Sequence, residues 1–227
     1  MEITPIAYIH TPFPTKFGIP KQSGRIPSLS ATIVFVEPFA IAEAIRGLEK
    51  FSHLWLIWEF SAVPANKPWT PTVRPPRLGG NVHMGVFATR SPFRPNRLGL
   101  SSVQLEKIEF VNGKPILYVC GADLLDGTPI YDIKPYLTTT DCHPQAQDGF
   151  VTTHTNDKLH VIQLQQQYPN ISTLELEQIK AIISEDPRPA YHHDTERKYG
   201  FFFGKYEVFF KVNDENRTAE ILEIKMR

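Results

Sequence analysis

The sequence has few cysteines, no net charge and no long apolar run. Its 227 residues include two cysteines, and its 24 basic and 24 acidic side chains balance to a formal net charge of zero. No apolar run approaches the roughly 20 residues that a membrane-spanning helix needs, and the N-terminus lacks the basic start and apolar core of a secretory signal. These absences argue against a membrane or secreted protein and predict a globular protein in the cytoplasm.

Patterns that bind metal are also scarce. Cys120 and Cys142 are too far apart for a CxxC motif, and Cys120 ends an apolar run as a buried strand residue would. The eight histidines include one adjacent pair, His192 and His193, whose side chains would diverge on a strand. The sequence therefore predicts two inert thiols and no metal site.

Acidic residues are missing from one long stretch. Between Phe60 and Leu105 there is no Asp or Glu, so positive charge is concentrated in this part of a neutral chain. Its basic residues are Lys67, Arg74, Arg77, Arg90, Arg94 and Arg97. Neighbouring prolines fix φ and lower the entropy cost of holding an arginine in place. Such arginines favour bidentate binding of a carboxylate or phosphate, although any one of them could equally form an ordinary salt bridge.

The first part of the chain predicts a mainly β protein that begins with a small barrel. Short runs rich in Val, Ile, Phe and Trp are separated by Pro and Gly, as strands joined by turns are. One helix is expected at residues 40–48, with Gly47 near its end. Because helices do not alternate regularly with strands, a closed or nearly closed barrel fits better than a doubly wound sheet. The expected strands are 3–9, 31–36, 51–60, 82–88, 100–110 and 115–121.

A domain boundary is expected near residue 147. Hydrophobic periodicity disappears over residues 138–149, where Asp, Gln, His and Thr dominate. This change predicts a barrel domain over residues 1–147 and a small α+β domain over residues 148–227.

Helical spacing of apolar residues predicts two helices in the second domain, at residues 154–168 and 172–184. Ser172, three residues before Glu175, matches a capping box at the start of the second helix. Two strands are expected to follow, at residues 199–212 and 218–225.

Polar residues interrupt the apolar pattern at three further places. Residues 16–25 combine glycines, a proline, basic groups and an amide in a loop that could offer hydrogen bonds to a ligand. His53 begins a very apolar strand, where a core histidine is the commoner outcome. Asp126, followed by Gly, is typical of a turn, whereas Asp123 and Asp132 could each face a site or an arginine.

Four motifs in the sequence belong together: VRPPRLGG at 73–80, the arginine segment at 87–101, DGTP with DIKPY at 126–136, and DPRPAY at 186–191. Together they resemble the TsaA/TrmO-like tRNA methyltransferases, which act on the threonylcarbamoyl-modified adenosine beside the anticodon. The resemblance covers the barrel region nearly end to end and reaches the C-terminal region through DPRPAY. No glycine-rich GxGxxG motif of Rossmann-type methyltransferases is present, as the resemblance implies.

The resemblance implies a small barrel that binds S-adenosylmethionine, a tRNA substrate, and a homodimer whose active site lies near the subunit interface. The implied cofactor contacts are Pro20, Lys21, Gln22, His53, Leu54, Arg90, Leu100, Asp123, Leu124, Leu125 and Asp126. The implied RNA contacts are Arg74, Arg77, Arg94, Arg188 and Tyr191. The C-terminal domain, residues 148–227, would also contact tRNA. The reaction needs a base that removes a proton from the target nitrogen, and the candidates for it are Asp126 and His53.

This sequence departs from the family pattern at two places. Arg97 stands where the family often has proline, and Ser23-Gly24-Arg25 replaces an expected proline-glycine form.

A non-catalytic RNA-binding module would also explain the basic stretch, but it would not need the 16–25 loop or the carboxylates near Asp123. Two more functions stay open: a hydrolase with paired carboxylates, which would need a metal or a water-activating base, and a dimerisation scaffold.

Overall fold

The computed structural model describes residues 2–64, 66–75, 78, 81–154, 158–164, 168, 170–189 and 194–227. The implied RNA contacts Arg77 and Tyr191 lie outside the described residues, as does the pair His192 and His193. Within the described part, no helix is long and apolar enough to cross a membrane. The same residues contain no group of three or more His, Cys, Asp or Glu side chains that could hold a metal ion.

Six antiparallel strands close into a barrel, which confirms the predicted mainly β fold. Around the barrel the strands follow the order β1-β2-β7-β6-β3-β8, and β8 pairs again with β1. The short strands β4 and β5 pair with each other outside it. The eight strands are β1 (Ala7–His10), β2 (Ser30–Phe35), β3 (His53–Glu59), β4 (Thr72–Val73), β5 (Met84–Gly85), β6 (Leu98–Val111), β7 (Lys114–Cys120) and β8 (Thr128–Pro135).

The barrel interior is a packed core. Along β3, the side chains of Leu54, Leu56 and Trp58 point inward and are buried, while the residues between them are more exposed. This alternation is the period of two that a strand with one buried face requires. Each fully buried aliphatic side chain stabilises the fold by about 1.5–3 kcal/mol. The same packing leaves Trp58 at the end of the strand, where it borders the cavity described below.

Three local predictions for the barrel region need correction. The expected helix at 40–48 is a pair of short 3₁₀ turns, Ala42–Ile45 and Leu48–Lys50, separated by Gly47 with φ of 91°. The expected strand at 82–88 contains only β5 and a 3₁₀ turn, Val86–Ala88. No strand was expected between Asp126 and the end of the barrel region, but residues 128–135 form β8, because pairing with both β1 and β3 is needed to close the barrel.

The C-terminal region forms a four-stranded sheet packed against a helix. The sheet order is β10-β11-β12-β9, and β9 runs parallel to β12. Its elements are β9 (His160–Gln163), α2 (Thr173–Ser184), β10 (Tyr199–Phe203), β11 (Tyr206–Asn213) and β12 (Thr218–Met226), while the short helix α1 (Thr138–Asp141) follows β8 at the end of the barrel. The backbone N–H of Glu175 donates to Ser172 Oγ at 3.2 Å, and Glu175 Oε2 accepts from the Ser172 N–H at 2.8 Å, which confirms the capping box.

Two predictions for this region were wrong. The expected helix at 154–168 contains the strand β9, because pairing with β12 overrides an apolar spacing that also fits a helix. The backbone N–H of His160 donates to the carbonyl of Arg217 at 2.9 Å and ties the start of β9 to the turn before β12. The expected strand at 199–212 is the hairpin β10–β11, whose turn includes Gly204 with φ of 55°.

The long loop between β1 and β2, residues 11–29, leaves the barrel and joins the C-terminal core. Its Phe13, Ile26 and Leu29 are buried in the same cluster as Tyr199 and Phe201 of β10. We call this segment the β1–β2 loop. It connects the two parts of the protein, since both of its ends continue into barrel strands.

Replacing Gly99 by Ala is expected to destabilise the protein by about 1–3 kcal/mol, because overpacking forces side chains out of place. Gly99 lies opposite Trp58 in the β3–β6 ladder, and an added Cβ would come within 2.3 Å of the indole. Denaturant unfolding measures the effect. Gly85→Ala is the matched control, because a Cβ there would meet nothing within 4 Å; equal stability of the two variants would contradict the prediction.

Candidate active site

A cavity of about 490 Å³ lies where the end of β3 meets the start of β6. Its walls come from four parts of the chain that are distant in sequence. They are the β1–β2 loop (residues 16–22), β3 and the turn after it (55–63), the arginine segment and β6 (89–100), and the segment before β8 (123–128). Of the implied cofactor contacts, those that line it are Pro20, Lys21, Gln22, Arg90, Leu100, Asp123 and Leu125.

Asp123 is fixed in this cavity by a chain of hydrogen bonds. Trp58 Nε1 donates to Ser101 Oγ at 3.0 Å, and Ser101 Oγ donates to Asp123 Oδ1 at 2.6 Å. The backbone N–H of Ser23 in the β1–β2 loop also bonds to this carboxylate. Burial raises the pKa of Asp123, and the hydrogen bonds together with the charge of Arg90 offset only part of that rise. The cavity therefore holds a carboxyl group that takes up a proton more readily than an exposed aspartate.

Arg90 and Gln22 meet across the cavity. Arg90 Nη1 donates to Gln22 Oε1 and joins the arginine segment to the β1–β2 loop. Next to this contact, the backbone N–H of Gly24 donates to the carbonyl of Gly121 at 2.8 Å. The loop is thus bonded to two other walls of the cavity.

Two arginines of the basic stretch bind backbone carbonyls. Arg94 Nη1 donates to the carbonyl of Thr89 at 2.7 Å and to that of Val86 at 3.1 Å. Arg97 Nη1 donates to the carbonyl of Val63 at 2.8 Å. Both arginines therefore hold the proline-rich backbone in shape, a structural role that sequence reasoning did not assign to them.

Glu59 is the second carboxylate that lines the cavity. Arg97 Nη2 lies 3.4 Å from Glu59 Oε1, and the Tyr131 hydroxyl donates to Glu59 Oε2 at 2.6 Å. This hydrogen bond, together with desolvation and the negative charge, raises the pKa of Tyr131 to about 12. Glu59 lies one residue before the acid-free stretch. Its charge is neutralised by Arg97, which accounts for an arginine at the position where the family often has proline.

The remaining implied cofactor contacts do not line the cavity. Leu54 and Leu124 are buried in the barrel interior. His53 is exposed at the start of β3, with Nδ1 3.0 Å from Ser52 Oγ. Asp126 is exposed, accepts from the Thr11 N–H at 3.1 Å and so stabilises a turn. Neither candidate base therefore lies in the cavity of this chain, whereas Asp123 does.

Two of the implied RNA contacts differ sharply in environment. Arg74 is exposed, and its Nε donates to His83 Nε2 at 2.9 Å. Arg188 is buried, with Nε 2.8 Å from Asp186 Oδ1 and Nη2 2.6 Å from Asp214 Oδ1. The buried ion pairs give Arg188 a structural role and do not favour the RNA contact that the resemblance implied.

Sequence reasoning missed the residues that support Asp123. Trp58 reads as one more aromatic residue in an apolar strand, and Ser101 as the last residue of the arginine segment. No local pattern in the sequence indicates them, because they meet only through the pairing of β3 with β6, which places Leu56 opposite Ser101 and Trp58 opposite Gly99. That pairing puts the indole beside a residue without a side chain and within reach of the hydroxyl.

Comparison with known proteins identifies the family. The family model for the tRNA-methyltransferase O N-terminal domain matches residues 8–142, and the model for the TrmO C-terminal domain matches residues 151–227. The chain is 37% identical to the tRNA (adenine(37)-N6)-methyltransferase of Escherichia coli K12, with 96% of each chain covered. It is 46% identical to the protein of the same name from Eikenella corrodens, over 71% of this chain and 91% of that one.

A third relative, from Pseudomonas aeruginosa, is described as a putative S-adenosylmethionine-dependent methyltransferase; it is 39% identical, with 87% of each chain covered. The crystal structure of TrmO from Pseudomonas aeruginosa superimposes with a TM-score of 0.79 at 29% sequence identity, covering 99% of this chain and 98% of that one. The agreement extends over both the barrel and the C-terminal sheet. The chain therefore belongs to the tRNA-methyltransferase O family.

Proposed function

We propose that this protein is an S-adenosylmethionine-dependent tRNA methyltransferase that methylates the exocyclic nitrogen of threonylcarbamoyladenosine beside the anticodon. The observation that carries the proposal is the cavity in which Arg90 and Asp123 stand among apolar walls. The relatives named above support the reaction class, because their names include tRNA adenine N6-methylation and dependence on S-adenosylmethionine.

The cavity fits the proposed cofactor in size and in chemistry. Its volume of about 490 Å³ lies in the usual range for small-molecule sites. Arg90 would bind the carboxylate of the methionine part, and the acidic groups would favour its amino and sulfonium charges. Trp58, Leu100 and Leu125 supply an apolar surface for the adenine ring.

Asp123 is the proposed base for the reaction, in place of Asp126 and His53. When bound, S-adenosylmethionine supplies an electrophilic methyl group. Asp123 would accept the proton that the target N–H loses as its nitrogen takes up that methyl group. Ser101 and the Ser23 N–H hold the carboxylate in one orientation, so that alignment supplies much of the rate acceleration.

Exposed aromatic and basic side chains near the cavity suit an RNA loop. Lys67 Nζ lies 4.1 Å from the ring centre of Phe93, while 73% of Phe87 and 49% of Trp69 are exposed. Unpaired bases stack on such rings, and basic groups such as Arg74 attract phosphates. Since base stacking and phosphate contacts both suit the anticodon loop, we assign this surface to tRNA.

A homodimer would reconcile the exposed position of His53 with its implied role as a cofactor contact. Leu98 and Leu100 line the cavity from β6 but remain 38% and 57% exposed, so a second copy that covers this edge of the cavity would bury them further. The exposed His53 of that copy would then be available to complete the site. Sedimentation equilibrium of the purified protein measures the mass directly.

The same proposal places the protein in the cytoplasm with its tRNA substrate, a location that cell fractionation tests.

A non-catalytic RNA-binding module is the less favoured function. It would not require the bonds that join Gln22, Arg90, Ser23 and Asp123 around a cavity.

Arg90→Ala is expected to weaken S-adenosylmethionine binding by about 10- to 100-fold, because it removes a charge-assisted hydrogen-bond donor. Calorimetric titration measures the dissociation constant. Arg46→Ala is the control, since Arg46 is highly exposed and lies 4.0 Å from Glu43 in a 3₁₀ turn away from the cavity. Saturable binding of equal strength in both variants would refute the assignment, and no binding to the wild type would favour the RNA-binding module.

Asp123→Asn is expected to lower the methyl-transfer rate by about 10²- to 10⁴-fold without lowering the free energy of unfolding. Because the pKa of Asp123 is raised in the folded protein, its charge opposes folding at neutral pH, and this penalty disappears as the pH falls through the raised value. Single-turnover rates and denaturant unfolding at several pH values measure both effects. Wild-type activity should fall over the same pH range; full activity of the variant would exclude Asp123 as the base.

Transfer RNA that carries threonylcarbamoyladenosine is expected to be methylated at least on the order of 100-fold faster than the same tRNA without it, because an arginine can grip the threonyl carboxylate bidentately. Incorporation of labelled methyl groups measures both rates. Equal rates would show that the enzyme recognises the adenosine alone.

A further inference from the structure

The β1–β2 loop is built into the hydrophobic core of the C-terminal domain. Phe13 is fully buried there, Ile26 is 4% exposed and Leu29 is 1% exposed. The ring of Phe17 lies parallel to that of Phe210 in β11, with 6.5 Å between their centres. The loop therefore has apolar anchors both before and after the residues that reach the cavity.

Polar contacts fasten the loop to the same domain. The Gly204 N–H, in the β10–β11 turn, donates to the carbonyl of Pro12 at 2.7 Å. Arg25 Nη2 lies 2.6 Å from Glu185 Oε2, just beyond the end of α2, and only 9% of that glutamate side chain is exposed. Gln178 Nε2 in α2 donates to the carbonyl of Ser28. The anchors thus come from both the sheet and the helix.

Gly18 lies where the loop backbone packs tightly against the C-terminal domain. Its φ is +100°, and an added Cβ would lie 2.8 Å from Phe201 Cδ2. Phe201 is 2% exposed, so its ring cannot move into solvent. The loop backbone at Gly18 therefore packs against the Phe201 side chain with no room for a Cβ.

The residues that follow Gly18 form a wall of the proposed cofactor site. Pro20 and Gln22 line the cavity, Gln22 accepts from Arg90, and the Ser23 N–H bonds to Asp123. Among the residues that the structure describes, those that line the cavity all precede the C-terminal domain. The C-terminal domain thus contacts the loop that forms one wall of the site.

We propose that the C-terminal domain holds the β1–β2 loop in its cofactor-binding conformation, and that Phe201 is a positioning residue for S-adenosylmethionine. Residues 11–29 contain no helix or strand, so ordering their backbone carries an entropy cost that packing on the C-terminal domain must offset. A loop ordered in advance binds its ligand more tightly, because less ordering remains for the binding step. This inference rests on the proposed function, since it concerns the same cavity.

Phe201→Ala tests the proposal, with Ile221→Ala as the matched control. Both side chains are buried in the C-terminal core, but Ile221 belongs to β12, which does not form part of the β10–β11 face that Gly18 and Phe17 meet. We expect Phe201→Ala to raise the dissociation constant and the KM for S-adenosylmethionine at least 10-fold, with kcat at saturating cofactor within 2-fold of wild type. Ile221→Ala should leave the dissociation constant within 2-fold, and equal losses in the two variants would overturn the role of Phe201.

Gly18→Ala gives a second test that does not shorten a core side chain. Gly47→Ala is its control, because Gly47 has φ of +91° but a Cβ there would meet nothing within 4 Å. We expect Gly18→Ala to bind S-adenosylmethionine at least 10-fold more weakly, while Gly47→Ala binds as the wild type does. Adding Phe201→Leu to Gly18→Ala should restore part of the lost binding. Unchanged binding in both Gly18→Ala and Phe201→Ala would overturn the proposal.

Arg90→Ala, titrated in the same series, separates this inference from the proposed function. Weaker binding in Arg90→Ala with wild-type binding in Phe201→Ala would overturn the positioning role alone. Wild-type binding in Arg90→Ala would overturn the site and, with it, the role of the loop.

Discussion

The short hydrogen bond between Ser101 and Asp123 is the contact on which the site depends. It joins a residue of the barrel wall to a carboxylate that burial would otherwise leave poorly stabilised. Trp58 orients the serine from one side, and the Ser23 N–H approaches the carboxylate from the other. Because both barrel and loop must be in place to satisfy this one group, the site is formed by the fold as a whole.

The basic stretch divides its arginines between two tasks. Arg94 and Arg97 bind carbonyl oxygens and keep a proline-rich backbone in one shape. Arg90, which they help to place, reaches the opposite wall of the cavity. Proline removes backbone donors, so a segment of this composition relies on side chains for its hydrogen bonds. The absence of nearby acids in the sequence is thus only partly a sign of ligand binding.

Local signals in the sequence were sufficient for some features of the fold. The apolar and aromatic residues over 51–60 predicted the strand that is β3, and Ser172 with Glu175 predicted the start of α2. The resemblance implied that Gln22, Arg90 and Asp123 belong to one site, and in the structure all three line the same cavity. What could not be predicted depends on distant pairing: β9 is a strand because β12 lies beside it, and Arg25 meets a glutamate 160 positions away. Periodicity within a short window carries no information about such partners.

The loop that carries Gln22 also sets an order of events during protein synthesis. Translation proceeds from the N-terminus, so all six barrel strands, which end at Pro135, emerge before β10 and β11 exist. Until residues 199–213 have left the ribosome, Phe13, Phe17 and Ile26 have no core in which to bury. A nascent chain can therefore close its barrel before the proposed support for the β1–β2 loop exists, and the loop gains that support only once β10 and β11 have formed.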